Sequence, residues 1–262
     1  MPLIRETYDA VQRNALDPEF RDIFHGVWSP VFQRHPVFMM ALLTAGHAAP
    51  LLGTQRTKLL ADSCLEKILW VFAKDERQAF FESVGRDGCA VDSAEGRLLN
   101  PGHAIESMWI CMEEGRRRES EAIVRRARRI ADWMYTRGLD REHGGLFSFL
   151  DADGGEPPQT AWHKETNMSW SDKVWWVHSE ALYTLALCWM ETGDPTWRER
   201  FLDLHAWCWE RFHDSEYGEW YPELYRDGTP KLTDKGTLWK AAYHLPRSLM
   251  KIMMLFESHA GA

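Results

Sequence analysis

The chain has 262 residues, 45% hydrophobic and 27% charged, with a formal net charge of −8. This is the composition of a folded globular protein, and it excludes a disordered tail or a disulfide-dense mini-protein. The acidic balance argues against a generic nucleic-acid binder, which needs a basic face to displace counterions from phosphates.

In chain order, MPLIRETYDAVQRN at the start has no signal-peptide core, and no stretch approaches the roughly 20 uninterrupted apolar residues of a membrane span. Five scattered cysteines without a CxxC read as reduced thiols, so a cytoplasmic protein without a membrane partner is expected. Residues 1–34 are helical in part, cut by Pro18 and Pro30. Apolar residues three and four apart then predict helices over 35–52, 57–73, 104–115, 120–138, 177–193, 196–212 and 237–258. Gly115, Gly138 and Gly193 stand where helix C-caps belong, and Asp194-Pro195 is a cap followed by a first-turn proline.

Between the helices, residues 80–91, 144–157 and 218–230 alternate large and small residues around Asp-Gly, a hairpin-turn signal. Aligned on Gly88, Gly154 and Gly228, they reveal a repeat. DREHGGLF (140–147) and DSEYGEWY (214–221) are near-identical phrases within it, and after each turn a helix begins with a histidine: His103, His178 and His244. A unit of two helices and a hairpin cannot bury its own faces, so stacked units are expected. The predicted architecture is an all-α, single α/α toroid over residues 1–262, with short β-hairpins at one rim. Three histidines in register then point at one central cavity; the competing reading is that each only packs within its own helix.

His103 follows Asn100-Pro101-Gly102, and Glu106 shares its helix face at i+3. A histidine so placed can give or take a proton near neutral pH. His244 has Arg247 at i+3 and Pro246 between. His178 is flanked by Trp175, Trp176 and Glu180, and tryptophans beside polar groups can line a sugar site. The remaining histidines, His25, His35, His47, His143, His163, His205, His213 and His259, read as surface or structural. No metal-ligand spacing and no phosphate-cradling glycine loop is present. The basic run over 116–129 reads as a solvated outer helix face.

NPGHAIESMWI (100–110), DREHGGLFSFLDADG (140–154), KVWWVHSEAL (173–182), DSEYGEWYPELYRDGTP (214–230) and KGTLWKAAYHLPRSL (235–249) together resemble the N-acylglucosamine 2-epimerase family, over about residues 36–256. The resemblance implies an (α/α)6 barrel and epimerisation of a sugar at C2 through an enediolate, interconverting N-acyl-D-glucosamine and N-acyl-D-mannosamine. The related aldose–ketose isomerases and cellobiose epimerases supply the alternative outcome, and an inactive binding module is a third. By the same resemblance His103 and His244 exchange the C2 proton, while Glu106, His178, Glu180, Trp175, Trp176 and Arg247 belong in or beside the sugar pocket. No metal or other cofactor is required, and ATP is a candidate activator. Family members are longer, and this chain starts partway along their pattern, without the early arginine that they place on the sugar. Either the sequence is a piece of a longer chain, or residues 1–34 and an oligomeric partner, such as a homodimer mate, cover an incomplete toroid; the first is favoured.

Overall fold

The computed structural model describes residues 2–16, 32–159 and 168–260. In chain order the elements are helix α1 (Pro2–Leu16), strand β1 (Phe32–Arg34) and helices α2 (His35–Leu52) and α3 (Thr54–Glu66). A π-helical turn (Lys67–Phe72) leads to strands β2 (Ala73–Lys74), β3 (Ala79–Phe80), β4 (Ser83–Gly85) and β5 (Leu98–Leu99). Helices α4 (Pro101–Arg117) and α5 (Glu121–Gly138) follow, then strands β6 (Leu150–Asp151) and β7 (Lys173–Val174). Helices α6 (Trp175–Thr192) and α7 (Pro195–Arg211), strands β8 (Glu223–Leu224) and β9 (Pro230–Leu232), and helix α8 (His244–Ala260) follow among the described residues.

The inner helices α2, α4, α6 and α8 pack in that order, each on the next. An outer layer of α3, α5 and α7 backs α2, α4 and α6 respectively, and α1 covers α2 and α3. This two-layered arc is the expected α/α-toroid architecture. α2 is long and apolar enough by length and composition to cross a membrane; here it packs against α1, α3 and α4. A single core runs through both layers, with Trp109, Phe72, Phe80, Phe81 and Phe212 among its fully buried side chains.

The repeat has a backbone cause. In each unit, the strand that leads into the inner helix pairs antiparallel with the arm returning from the outer helix. Arg34 faces Ser83, Leu99 faces Leu150, and Val174 faces Glu223. The three turns close alike: the amides of Gly88, Gly154 and Gly228 donate to the carbonyls of Gly85, Asp151 and Tyr225 at 2.8, 2.8 and 2.9 Å. Each of these glycines has a φ between 83° and 98°, the left-handed region that glycine enters without a Cβ penalty. The two near-identical phrases are one loop used twice. Asp140 Oδ1 accepts the amides of Glu142 and His143, and Asp214 Oδ1 accepts those of Glu216 and Tyr217. Each aspartate also holds a lysine, Lys173 at 2.8 Å and Lys235 at 2.7 Å.

Several sequence expectations need correction. The helix predicted over 57–73 is α3 followed by the π-turn. Gly115 does not cap α4, which continues to Arg117. It lies inside the helix because α5 crosses so closely that a Cβ would sit 2.9 Å from Ile123 Cγ2. Gly138 is the last residue of α5, whereas Gly193 does cap α6 in the left-handed region. The last helix begins at His244, not 237. Thr237 Oγ1 accepts the amides of Trp239 and Lys240 in a turn, and Pro246 is tolerated because it falls in the helix's first turn. Arg126 departs from the solvated face expected of the basic run: it is buried over the rings of Trp70 and Trp133, at 4.4 and 5.3 Å. His25 and His163 lie outside the described residues.

Candidate active site

His103 is the third residue of α4. Asn100 caps that helix, its Oδ1 accepting the His103 amide at 3.1 Å, and Pro101 fills the first helical position. His103 Nδ1 lies 2.8 Å from Glu82 Oε1. Glu82 sits between β3 and β4 and was not singled out by the sequence. Its signal was a departure inside the repeat. His35 donates its amide to the Glu82 carbonyl at 3.0 Å, as Trp175 does to Pro222 at 3.1 Å, so the third unit has a proline where the first has an acid. Burial opposes the Glu82 charge, but the charge and hydrogen bond of His103, with the His35 ring beside it, outweigh burial and hold the carboxyl well below its usual range.

His244 is the first residue of α8, and its Nδ1 lies 2.7 Å from Glu180 Oε1. One turn later, Arg247 Nη2 donates to Glu106 Oε1 at 2.8 Å and to Glu180 Oε1 at 2.6 Å. Trp109 Nε1 donates to the other Glu180 oxygen at 2.7 Å. The Arg247 guanidinium also covers the rings of Tyr243 and Trp109, at 4.1 and 5.0 Å. Three inner helices thus meet here: α4 through Glu106, α6 through Glu180, and α8 through His244 and Arg247. Burial, reinforced by the Glu180 charge, raises the Glu106 pKa. Burial also opposes the Glu180 charge, yet the His244 hydrogen bond and Arg247 outweigh it and lower the pKa. Glu180 therefore carries the charge, and Glu106 is the carboxyl more readily protonated.

The ring of Trp176 lies beside both histidines, its centroid 5.0 Å from His103 and 5.4 Å from His244. Trp175 is buried in the core and meets His244 edge-on at 6.4 Å.

The third histidine of the repeat does not join them. His178 is fully buried, with Nδ1 2.7 Å from the Val174 carbonyl and Nε2 accepting the Leu146 amide at 2.9 Å. It stacks on Trp207 at 5.1 Å, and burial lowers its pKa to about 3. Both ring nitrogens are committed to backbone, so His178 bolts the 144–147 loop to α6. His35, read from sequence without a site role, is fully buried against the site, its Nε2 2.5 Å from Ser107 Oγ.

Among the described residues, two sets of three bring metal-ligand types within 4.8 Å of one another: His35, Glu82 and His103, and Glu106, Glu180 and His244. In the second set the Arg247 guanidinium already supplies the positive charge. A separate cleft of about 790 Å³ at the hairpin rim is lined by His143, Asp172, Arg226 and Lys231 among others. None of the predicted site residues lines it.

Comparison with known proteins shows what the chain is similar to. The family model described as N-acylglucosamine 2-epimerase matches residues 39–247. The chain is 38% identical over 193 residues to the N-acylglucosamine 2-epimerase of Bos taurus, covering 72% of this chain and 43% of that protein. With the protein of the same name from Homo sapiens the identity is 34% over 193 residues, with the same coverage. The chain thus spans less than half the length of these relatives. A crystal structure of D-mannose isomerase superposes with a TM-score of 0.77 at 19% identity, covering 96% of this chain and 65% of that one. A cellobiose 2-epimerase from Bacillus thermoamylovorans superposes with a TM-score of 0.71 at 15% identity, covering 88% and 55%.

Proposed function

The chain belongs to the N-acylglucosamine 2-epimerase family, and on that premise we propose that it carries the proton-transfer half of a sugar 2-epimerase acting on N-acylhexosamines. One observation carries the reading. Two histidines flank the same tryptophan, and each has a carboxylate on Nδ1, Glu82 for His103 and Glu180 for His244. A carboxylate only accepts, so each Nδ1 bears the proton and each Nε2 is the basic nitrogen of the neutral ring.

Inverting C2 needs a base on one face and an acid on the other. In the open-chain sugar the C1 carbonyl acidifies the C2 hydrogen. One histidine removes that proton, the electron pair moves into the C1 oxygen, and the other histidine, protonated, returns a proton to the opposite face. The two then exchange roles in the reverse direction. No step transfers an electron pair to or from a redox partner. Arg247, held between Glu106 and Glu180, keeps the acid-rich side of the pocket close to neutral. ATP as an activator and a second copy as a homodimer partner belong to the same reading as candidates; the proton transfer itself uses neither.

The test is NMR in D₂O with N-acetylmannosamine and N-acetylglucosamine, with and without ATP. Deuterium entering C2 as the other epimer appears supports the reading, and loss of exchange in both His103→Ala and His244→Ala ties it to these residues. Full turnover in either variant would overturn the two-histidine chemistry. The likeness in fold to D-mannose isomerase favours a second reading, proton delivery to C1 to give a ketose, which product analysis on mannose, glucose and fructose separates from epimerisation. Binding of sugar without any exchange identifies a binding module.

A further inference from the structure

We propose that Glu82 is the positioning residue of His103, with His35 and Ser107 fixing the carboxylate from behind; this rests on the reading of His103 as a proton-transfer group.

Four side chains from three segments form one line. Ser107 Oγ lies 2.5 Å from His35 Nε2, His35 Nδ1 lies 3.6 Å from Glu82 Oε2, and Glu82 Oε1 lies 2.8 Å from His103 Nδ1. Glu82 Oε1 accepts from His103, and the other oxygen lies 3.6 Å from His35 Nδ1, an electrostatic contact and not a hydrogen bond. The nearby carboxylate favours the proton on His35 Nδ1, which leaves Nε2 to accept from the Ser107 hydroxyl. Burial lowers the His35 pKa, so His35 enters this line as a neutral ring.

The backbone fixes the same residues a second time. The His35 amide donates to the Glu82 carbonyl, and the neighbouring pair Arg34 and Ser83 is in β1–β4 register. Ser107 lies one helical turn beyond His103 on α4, so the line starts and ends on one helix and passes through the first unit between. Two stacked units therefore set the orientation of one imidazole. The other histidine is held by a parallel device: Glu180 binds His244 through one oxygen and Trp109 through the other. At Glu180 an indole N–H binds the far oxygen, and at Glu82 the buried His35 ring packs 3.6 Å from it. A ring with its Nδ1–H so fixed directs Nε2 away from the carboxylate, which is the orientation a base at C2 needs.

Among the described residues, the titratable groups around His103 include Glu82 from the β3–β4 connection, His35 from α2, Glu106 from its own helix, and His244 from α8 across Trp176. Glu82 alone among them is an anion in direct contact with its ring.

The experiment reads the ring rather than turnover. Long-range ¹H–¹⁵N spectra of the full chain with ¹⁵N-labelled histidine report the tautomer and titration midpoint of each imidazole. His103 in the wild type is expected as the Nδ1–H tautomer; an Nε2–H tautomer overturns the proposal without any variant. In Glu82→Gln the His103 midpoint is expected to fall by about one pH unit or more, because a charged acceptor is lost. Glu82→Asp, which keeps the charge, restores most of that shift. An unchanged midpoint and tautomer in Glu82→Gln overturn the proposal. His178, fixed by Val174 and Leu146, is the internal standard for an intact fold. Should Glu82→Gln disturb it, Ser107→Ala is the second variant, expected to mix the His35 tautomers while His178 stays unchanged; a single unaltered His35 tautomer there counts against the proposal. Absence of C2 exchange in the wild type, with these ring properties in place, would sink the functional reading and leave the positioning role standing.

Discussion

Trp176 is inclined by nearly the same angle to both histidines, 35° to His103 and 34° to His244. A half-buried indole so placed sets the spacing of the two imidazoles and offers a flat face to the C–H side of a sugar. Trp176→Ala is expected to slow C2 exchange by about 100-fold, the scale of a misplaced reacting group, with helix content by circular dichroism unchanged. Trp176→Phe should fall between. Wild-type exchange in the alanine variant would remove Trp176 from the site.

Gly102 makes that placement possible. A Cβ there would lie 2.6 Å from Trp176 Cζ3 and 2.7 Å from Val177 Cγ2. Neither neighbour yields easily, because both begin the buried helix α6. Gly102→Ala is expected to lower stability by about 1–3 kcal/mol, measured by urea unfolding, and to reduce exchange through the displaced indole.

Arg247 bridges two buried carboxylates at once. Arg247→Met leaves Glu106 and Glu180 facing each other without their cation, and the expected loss is about 3–5 kcal/mol. Adding Glu106→Gln to that variant removes one of the two charges and should recover a substantial part of the loss. Arg247→Lys keeps the charge and should cost less than Arg247→Met. Urea denaturation of the four proteins tests the ordering, and equal losses in Arg247→Met and the double variant would contradict it.

Stability should fall on mild acidification, and His178 is a main cause. Its ordinary pKa of 6.5 is lowered to about 3 in the fold by burial. The unfolded chain therefore binds a proton that the folded chain refuses, so the contribution is complete above about 6.5 and is lost as pH falls below it. At pH 5.5 the loss is about 1.4 kcal/mol, one pH unit below the unfolded value. His35 is shifted in the same direction by burial. Glu82, held low, keeps its contribution until the pH falls through the carboxylate range. Urea unfolding at pH 7.5, 6.5 and 5.5 checks the slope, which should be shallower in His178→Gln than in the wild type.

The helices were legible because their apolar spacing is regular, and the units were legible because three Asp-Gly turns repeat. His103, His244, Glu106, Glu180 and Arg247 were also readable as a group, since each begins an inner helix or lies within its first two turns. What escaped was whatever depends on contacts far apart in sequence. His178 occupies the same place after β7 that His103 occupies after β5, yet its ring turns to the Leu146 amide because Gly145 leaves room: a Cβ there would sit 2.8 Å from His178 Nε2. Glu82 was hidden because its partners, His35 and His103, lie in different units. The start of α8 was set too early because the apolar run over 237–243 looks helical until Thr237 draws the following amides into a turn.

Since the paired strands of all three repeats join the two ends of a single unit, neighbouring units are joined chiefly by helix contacts. Among the described strands, separating two units therefore breaks no strand ladder and exposes no new sheet edge to template aggregation. Each unit thus closes on itself through its own strand pair, which favours folding unit by unit. Hydrogen exchange should accordingly lose protection in blocks that match the units, with the strand amides of a block released together.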